Sequence, residues 1–367
     1  MEFNDVRLQF EELRDEIEPA VTRVLSGGRY ILGPAVEKFE EEFSRYCDVS
    51  HGVGVASGTD AISIGLRAIG VRAGDEVLVP AVSAPATAMA VTAIGAKPVF
   101  VDISDKDFTM DPRAAFNLMS GRIRAIVPVH LYGMPARLKD LSEVGAPVLE
   151  DAAQAHGSDA PWGRCGSFGA AAAFSFYPTK NLGAYGDGGM IVSSSRSFAD
   201  RCKLLRNYGQ RENYASEILG QNSRLDEMQA AILRVKLKRL DSWNRRRREI
   251  AAAYREAFAE LPIAMQAETG KSNYHLFVIV CHERDRLREY LRSEGIPALV
   301  HYPIPLHRQK AFAEFATSRC PNADHLCERV LSLPIHGSMS DGDVGRVIDA
   351  VKSFFRPSRV RGSNISD

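Results

Sequence analysis

A chain of 367 residues, 45% hydrophobic and 25% charged, is long enough to bury a substantial core in one large and one smaller unit. Lys plus Arg and Asp plus Glu balance at 46 each, which leaves no electrostatic basis for binding nucleic acid or an anionic membrane. The six cysteines (Cys47, Cys165, Cys202, Cys281, Cys320 and Cys327) have no CxxC or metal-ligand spacing; they read as free thiols in a reducing cytoplasm, with no metal site.

The first residues, Met-Glu-Phe-Asn-Asp, are acidic and carry no apolar signal segment. From residue 50 to 195, short apolar runs alternate with helical patterns. Val53–Ala56, Val77–Val79, Pro98–Asp102, Ile123–Val129, Val148–Asp151, Ala171–Phe176 and Met190–Val192 are the predicted strands. This alternation predicts an α/β fold: a mostly parallel sheet sandwiched by helices, with ligands at the carboxyl ends of the strands. Residues 77–96 carry no formal charge, but Pro80, Ser83, Pro85, Thr87 and Thr92 interrupt them. They read as strand, loop and small-residue helix, not as a membrane span.

Residues 224–260 read as one or two long helices ended by Leu261-Pro262. A strand at His275–Cys281 and helices near Glu283–Glu294 and Val344–Phe355 then predict a smaller α+β unit. The boundary is set near 245, giving a large domain 1–245, a small C-terminal domain 246–356 and a polar, basic tail 357–367 expected to be disordered. The run Arg245–Arg248 follows a helical pattern and reads first as a solvated helix face, and second as a phosphate patch.

Two polar clusters close apolar runs. The first is Glu150-Asp-Ala-Ala-Gln-Ala-His-Gly157; the second is Ser175-Phe-Tyr-Pro-Thr-Lys-Asn-Leu-Gly183. An acid at a strand end plus a lone lysine in a glycine-rich loop suits pyridoxal phosphate. Lys180 would form a Schiff base with its aldehyde, and Asp151 would keep its ring nitrogen protonated. Gln154 would meet the phenolic oxygen or bond to nearby backbone. Gly58-Thr59-Asp60 joins a strand to a helix, where backbone N–H groups suit a phosphate; an ordinary helix cap by Ser57 or Thr59 is the competing reading. Ser175 would reach the same phosphate through its hydroxyl. His301-Tyr-Pro-Ile-Pro-Leu-His307 sets three aromatic hydrogen-bonding side chains, His301, Tyr302 and His307, around two prolines. That stiff arrangement suits the fixing of a ligand, or a buried connection.

These segments, together with Gly28-Arg-Tyr-Ile-Leu-Gly33, Ser57-Gly-Thr-Asp-Ala61, His130-Leu-Tyr-Gly133 and Asn222-Ser-Arg-Leu-Asp-Glu227, run in order along almost the whole chain. In them the chain resembles the DegT/StrS-type sugar aminotransferases, pyridoxal-phosphate enzymes of fold type I. The resemblance implies transfer of an amino group to a nucleotide-linked keto-hexose, with pyridoxamine phosphate as the alternate cofactor form and glutamate as donor. It implies Lys180 as the Schiff-base residue and proton carrier, Asp151 as the ring-nitrogen partner and Gln154 as the phenolate partner. Gly58, Thr59 and Ser175 would be phosphate ligands and Tyr30 a substrate contact. It also implies a cytoplasmic homodimer in which Asn222 or Arg224 completes the partner's phosphate site. The helix start at Asn222 lacks the Tyr-Arg-Met form of relatives acting at carbon 4, so the resemblance implies carbon 3. Amination at carbon 4 and a non-catalytic regulatory role are the alternatives. Ala84 stands where many relatives place a stacking aromatic residue.

Overall fold

The computed structural model describes residues 1–212 and 214–356; the expected tail, 357–367, lies outside the described residues. The large unit is built on β1 His51–Val55, β2 Glu76–Pro80, β3 Lys97–Val101, β4 Ile123–Ile126, β5 Leu149–Asp151, β6 Ala171–Ser175 and β7 Gly189–Ser193. Strands β1-β7-β6-β5 form one ladder and β3-β2-β4 another. Parallel bridges Ile126↔Val148 and Val129↔Asp151 join them into one sheet. Within it β7 runs antiparallel to both β1 and β6, and the other pairings are parallel. The mostly parallel sheet predicted from the alternating pattern is therefore present. Its strands are buried on both faces, which is why they read as near-continuous Val/Ile/Ala runs.

Helices α1 Val6–Gly27, α2 Pro34–Tyr46, α3 Gly58–Ile69, α4 Pro85–Ala93 and α5 Arg196–Arg206 belong to this unit. The long helical stretch after 224 is two helices, α6 Glu227–Leu237 and α7 Leu240–Phe258. The small unit adds an antiparallel sheet, β8 Ala264–Met265, β9 Phe277–Val280 and β10 Val330–Leu333. Helices α8 Arg284–Ser293 and α9 Asp341–Phe355 complete it. Tyr254 and Phe258 of α7 join Phe277, Leu287, Leu331 and Val347 in its core. At its other end, Leu240 of α7 packs with Phe39 and Phe43 of the large unit. Residue 245, where the sequence pattern divides the units, therefore falls inside one continuous helix.

The arginine run is not a uniform solvated face. Arg247 is buried and donates to the carbonyls of Tyr274, His275 and Ile335 at 3.1, 3.3 and 2.8 Å. Arg246 reaches the Met339 carbonyl at 2.9 Å and Asp341 at 2.6 Å. These bonds tie α7 to the small unit. Among the described residues, no helix is long and apolar enough to cross a membrane.

Candidate active site

The carboxyl ends of β1, β2, β5 and β6 open onto one cavity of about 240 Å³. Its lining includes Ser57, Gly58 and Thr59 after β1, Ser83, Ala84, Ala86 and Thr87 after β2, Asp151 and Gln154 at and after the end of β5, and Ser175 and Lys180 at and after the end of β6. Gly58, Thr59, Asp151, Gln154, Ser175 and Lys180, far apart in sequence, thus converge at the strand ends. Ser57 caps α3, its hydroxyl accepting the Asp60 N–H at 3.1 Å. The cap leaves the N–H groups of Gly58 and Thr59 at the positive end of the helix, without intrahelical acceptors. Gly58 is required by close approach: a Cβ there would sit 2.6 Å from the Ser175 Cβ. The backbone cradle and the Ser175 hydroxyl therefore meet on the same wall.

Lys180 stands on a loop fixed from several sides. Its N–H donates to the Tyr177 carbonyl at 2.8 Å. Next to it, the buried Asn181 donates to Asn244 Oδ1 at 2.8 Å and to the Asn273 carbonyl at 3.1 Å. The buried Lys236 ammonium donates to the Gly183 carbonyl from below. Burial lowers the Lys180 pKa to about 8, while the Asp151 charge acts in the opposite direction. A readily deprotonated amine is what Schiff-base chemistry requires.

Asp151 is buried and its pKa is raised by desolvation. The Thr87 hydroxyl, donating at 2.7 Å, and the Ala153 N–H, at 3.2 Å, oppose that rise. Thr87 is in turn bonded to the Ser83 hydroxyl at 2.9 Å. Gln154 accepts the Tyr132 N–H at 2.7 Å and donates to the Tyr302 hydroxyl at 3.2 Å. One N–H of its amide is left for a ligand. Tyr302 thus lies beside the cavity, and His301, bonded through Nδ1 to Ser332 at 2.9 Å, has its pKa pushed down to about 4 by burial and by the Lys180 charge. His307 does not line the cavity; its Nε2 lies 3.1 Å from the Asp324 carboxylate, so the buried-connection reading describes its surroundings.

Glu150, beside Asp151, has a different task. Its carboxylate takes the N–H groups of Gly166, Phe168 and Gly169 at 2.7, 2.9 and 2.8 Å and faces His130 Nε2 at 2.9 Å. Because His130 Nδ1 accepts the Ala136 N–H, its Nε2 carries the proton given to Glu150. Glu150→Ala strands these donors in the core. It is expected to lower the unfolding free energy by about 3–5 kcal/mol, read from urea denaturation of the purified protein.

Tyr30, Asn222 and Arg224 do not line this cavity. Tyr30 is 49% exposed and Asn222 is exposed. Arg224 is half-buried, donates to Asn207 Oδ1 at 3.0 Å and lies over the Tyr208 ring. One carboxylate ties this region together. Glu227 takes the N–H groups of Gly33, Ala35 and Val36 at 2.8, 2.9 and 2.9 Å, capping α2 from the start of α6. The Gly28–Gly33 turn and the 222–227 segment are thereby held as one surface. Sequence reasoning gave no place in the site to Thr87, Ser83 or Asn181; it noted the first two only as interruptions of an uncharged stretch read as strand, loop and small-residue helix.

The cavity fits pyridoxal phosphate on three counts. It has a helix-terminal cradle and a hydroxyl of the kind that suits a phosphate, a lysine of lowered pKa, and a buried carboxylate that Lys180 alone among the cavity's side chains offsets with a positive charge. The chain matches the DegT/DnrJ/EryC1/StrS aminotransferase family over residues 11–352. It is 45% identical, over 96% of its length and 95% of the relative's, to a dTDP-3-amino-3,4,6-trideoxy-alpha-D-glucose transaminase of Streptomyces venezuelae. It is 42% identical, over 95% and 96%, to the UDP-N-acetyl-3-dehydro-alpha-D-glucosamine 3-aminotransferase of Acidithiobacillus ferrooxidans. The crystal structure of S. venezuelae DesV superposes with a TM-score of 0.95 at 45% identity, covering 97% of this chain and 98% of that one. With the family matched across nearly the whole chain and the site built for its cofactor, the protein belongs to the DegT/DnrJ/EryC1/StrS family and is a pyridoxal-phosphate-dependent sugar aminotransferase.

Proposed function

We propose that the protein aminates carbon 3 of a nucleotide-linked keto-hexose, takes the amino group from glutamate, and works in the cytoplasm as a homodimer with shared sites. The observation that carries the positional part is the pair of relatives above, both named for amination at carbon 3 of a nucleotide-linked sugar. The lysine at 180 fits transamination. The start of the 222–227 segment, Asn-Ser-Arg, agrees with carbon 3.

Pyridoxal phosphate, when bound, supplies an aldehyde for amines and a ring that spreads carbanion charge. The residues of the chain do the rest. Gly58 and Thr59 N–H groups and the Ser175 hydroxyl would take its phosphate. The Asp151 carboxylate would hold a proton on the ring nitrogen; the Thr87 hydroxyl favours its ionised form against the desolvation that raises its pKa. The free N–H of Gln154 would orient the phenolic oxygen. Lys180 Nζ would hold the aldehyde, and as the free amine would carry a proton between substrate and cofactor carbons; its lowered pKa keeps a large neutral fraction available near pH 8. Tyr302, held to Gln154, and His301 would border the sugar. Tyr30 would contact the sugar nucleotide of the partner's site.

The positional claim is tested by product structure. With glutamate and paired 3-keto and 4-keto nucleotide sugars, the new nitrogen is expected on carbon 3 by NMR; exclusive amination at carbon 4 rejects the position and leaves the transaminase. The shared site rests on the exposure of Asn222 and the absence of Asn222 and Arg224 from their own chain's cavity lining. Mixing Lys180→Ala subunits with Asn222→Ala/Arg224→Ala subunits is expected to restore activity partially, because one site of each mixed dimer collects neither defect. Mixed dimers without recovery would show that the segment serves its own chain.

A further inference from the structure

The arginine run divides its labour. Arg246 and Arg247 are spent on carbonyls and on Asp341. Arg245 and Arg248, three apart and so on one face of α7, line a separate cleft of about 420 Å³ with Arg164, Lys271, Asp159, Asp241 and Gly157. Neither Arg245 nor Arg248 has an ion-pair partner among the described residues, and Arg248 Nη1 is buried with no hydrogen-bond acceptor. The acids of the cleft are already engaged. Asp159 serves Arg164 at 3.3 Å and Lys271 at 3.9 Å, and Asp241 accepts the Tyr46 hydroxyl at 2.6 Å. Four cations thus face two committed carboxylates, an excess of positive charge in a recess with a donor left over.

We propose that this cleft binds an oxyanion of the phosphate class, free or carried on a nucleotide, bridging Arg245 and Arg248 of α7 to Arg164 and Lys271 on the opposite wall. Guanidinium forks match such an oxyanion in geometry as well as charge. The wall opposite α7 is a short hairpin, Asp159–Ala160 paired with Gly163–Arg164, to which Lys271 is bridged through Asp159. It begins two residues beyond Gly157, where a Cβ would lie 2.3 Å from the Tyr46 hydroxyl and 2.7 Å from Asn244 Nδ2. An anion here pins α7 to the segment that carries Asp151 and Gln154. The cleft is separate from the cofactor cradle, since the two share no lining residue.

The test uses the holoenzyme, whose cofactor already fills the cradle, and thermal unfolding against inorganic phosphate at constant ionic strength. Wild type is expected to gain stability saturably, and Arg245→Gln/Arg248→Gln to bind phosphate about tenfold or more weakly. Lys271→Gln, exposed and on the other wall, gives the same direction should the double variant fold poorly. Equal affinities in wild type and both variants, or a wild-type shift that sodium chloride reproduces, overturn the proposal. A nucleoside diphosphate run in parallel separates the sources. A variant-sensitive gain over phosphate identifies a nucleotide, equal variant-sensitive binding identifies the free ion, and both support the site.

Discussion

Lys180→Ala is expected to lose transamination by about ten-thousandfold or more while the protein stays folded, because the substitution removes both the Schiff-base amine and the proton carrier. Borohydride treatment of wild type is expected to fix the cofactor on Lys180, and peptide mapping that finds it elsewhere rejects the assignment. The pH dependence adds a second check. Burial lowers the Lys180 pKa to about 8, so below that pH the amine is mostly charged and cannot attack an aldehyde. The rate at which cofactor-free protein captures pyridoxal phosphate should rise with pH and level off above about 8. Asp151 is the influence that raises this pKa, so the midpoint should move down in Asp151→Asn. A capture rate that keeps climbing to pH 10 would mean that the lysine is not desolvated.

Asp151→Asn is expected to retain cofactor but to lose turnover by about a hundred- to ten-thousandfold. The amide keeps the shape and accepts from Thr87, yet cannot hold a proton on a ring nitrogen. Because the amide nitrogen then faces the Ala153 N–H, which loses its acceptor, folding stability should fall by about 1 kcal/mol. A fully active variant would mean that Asp151 serves only to pin its own loop. Loss of cofactor binding together with activity would mean that the carboxylate anchors the ring more than it tunes it.

Much of this was legible in the sequence for physical reasons. Parallel strands buried on both faces read as unbroken apolar runs, so the strands from Val53 to Val192 stood out. Asp151 and Lys180 stood out because polar residues close such runs only where something needs them. Other parts lacked that contrast. Helices α1 and α2 had charged surfaces and no flanking strand to frame them, and Val330–Leu333 is too short to declare a period. Thr87 looked like one more small residue on a core helix; only the fold brings it 2.7 Å from Asp151. His307 has the chemistry of a ligand contact in one dimension and the partner of a structural residue, Asp324, in three. Glu227 read as part of a motif, and only the fold brings it to the start of α2, which it caps.

Helix α7 has the geometry of a lever arm, since it reaches from the core of the large unit to that of the small one. Its 19 residues span roughly 28 Å, and near one end Asn244 fastens them to Asn181 and His156 of the large unit. Rotation of the small unit by a few degrees about that clamp moves the far end, at Phe258, by roughly 1–2 Å while the clamped end stays nearly still. Asn244 bonds directly to Asn181, the neighbour of Lys180. The pivot of a rotation between the units would therefore lie against the neighbour of Lys180, where displacement is smallest. A turn of the small unit about that point would widen the rim of the cavity while leaving the neighbour of Lys180 nearly still.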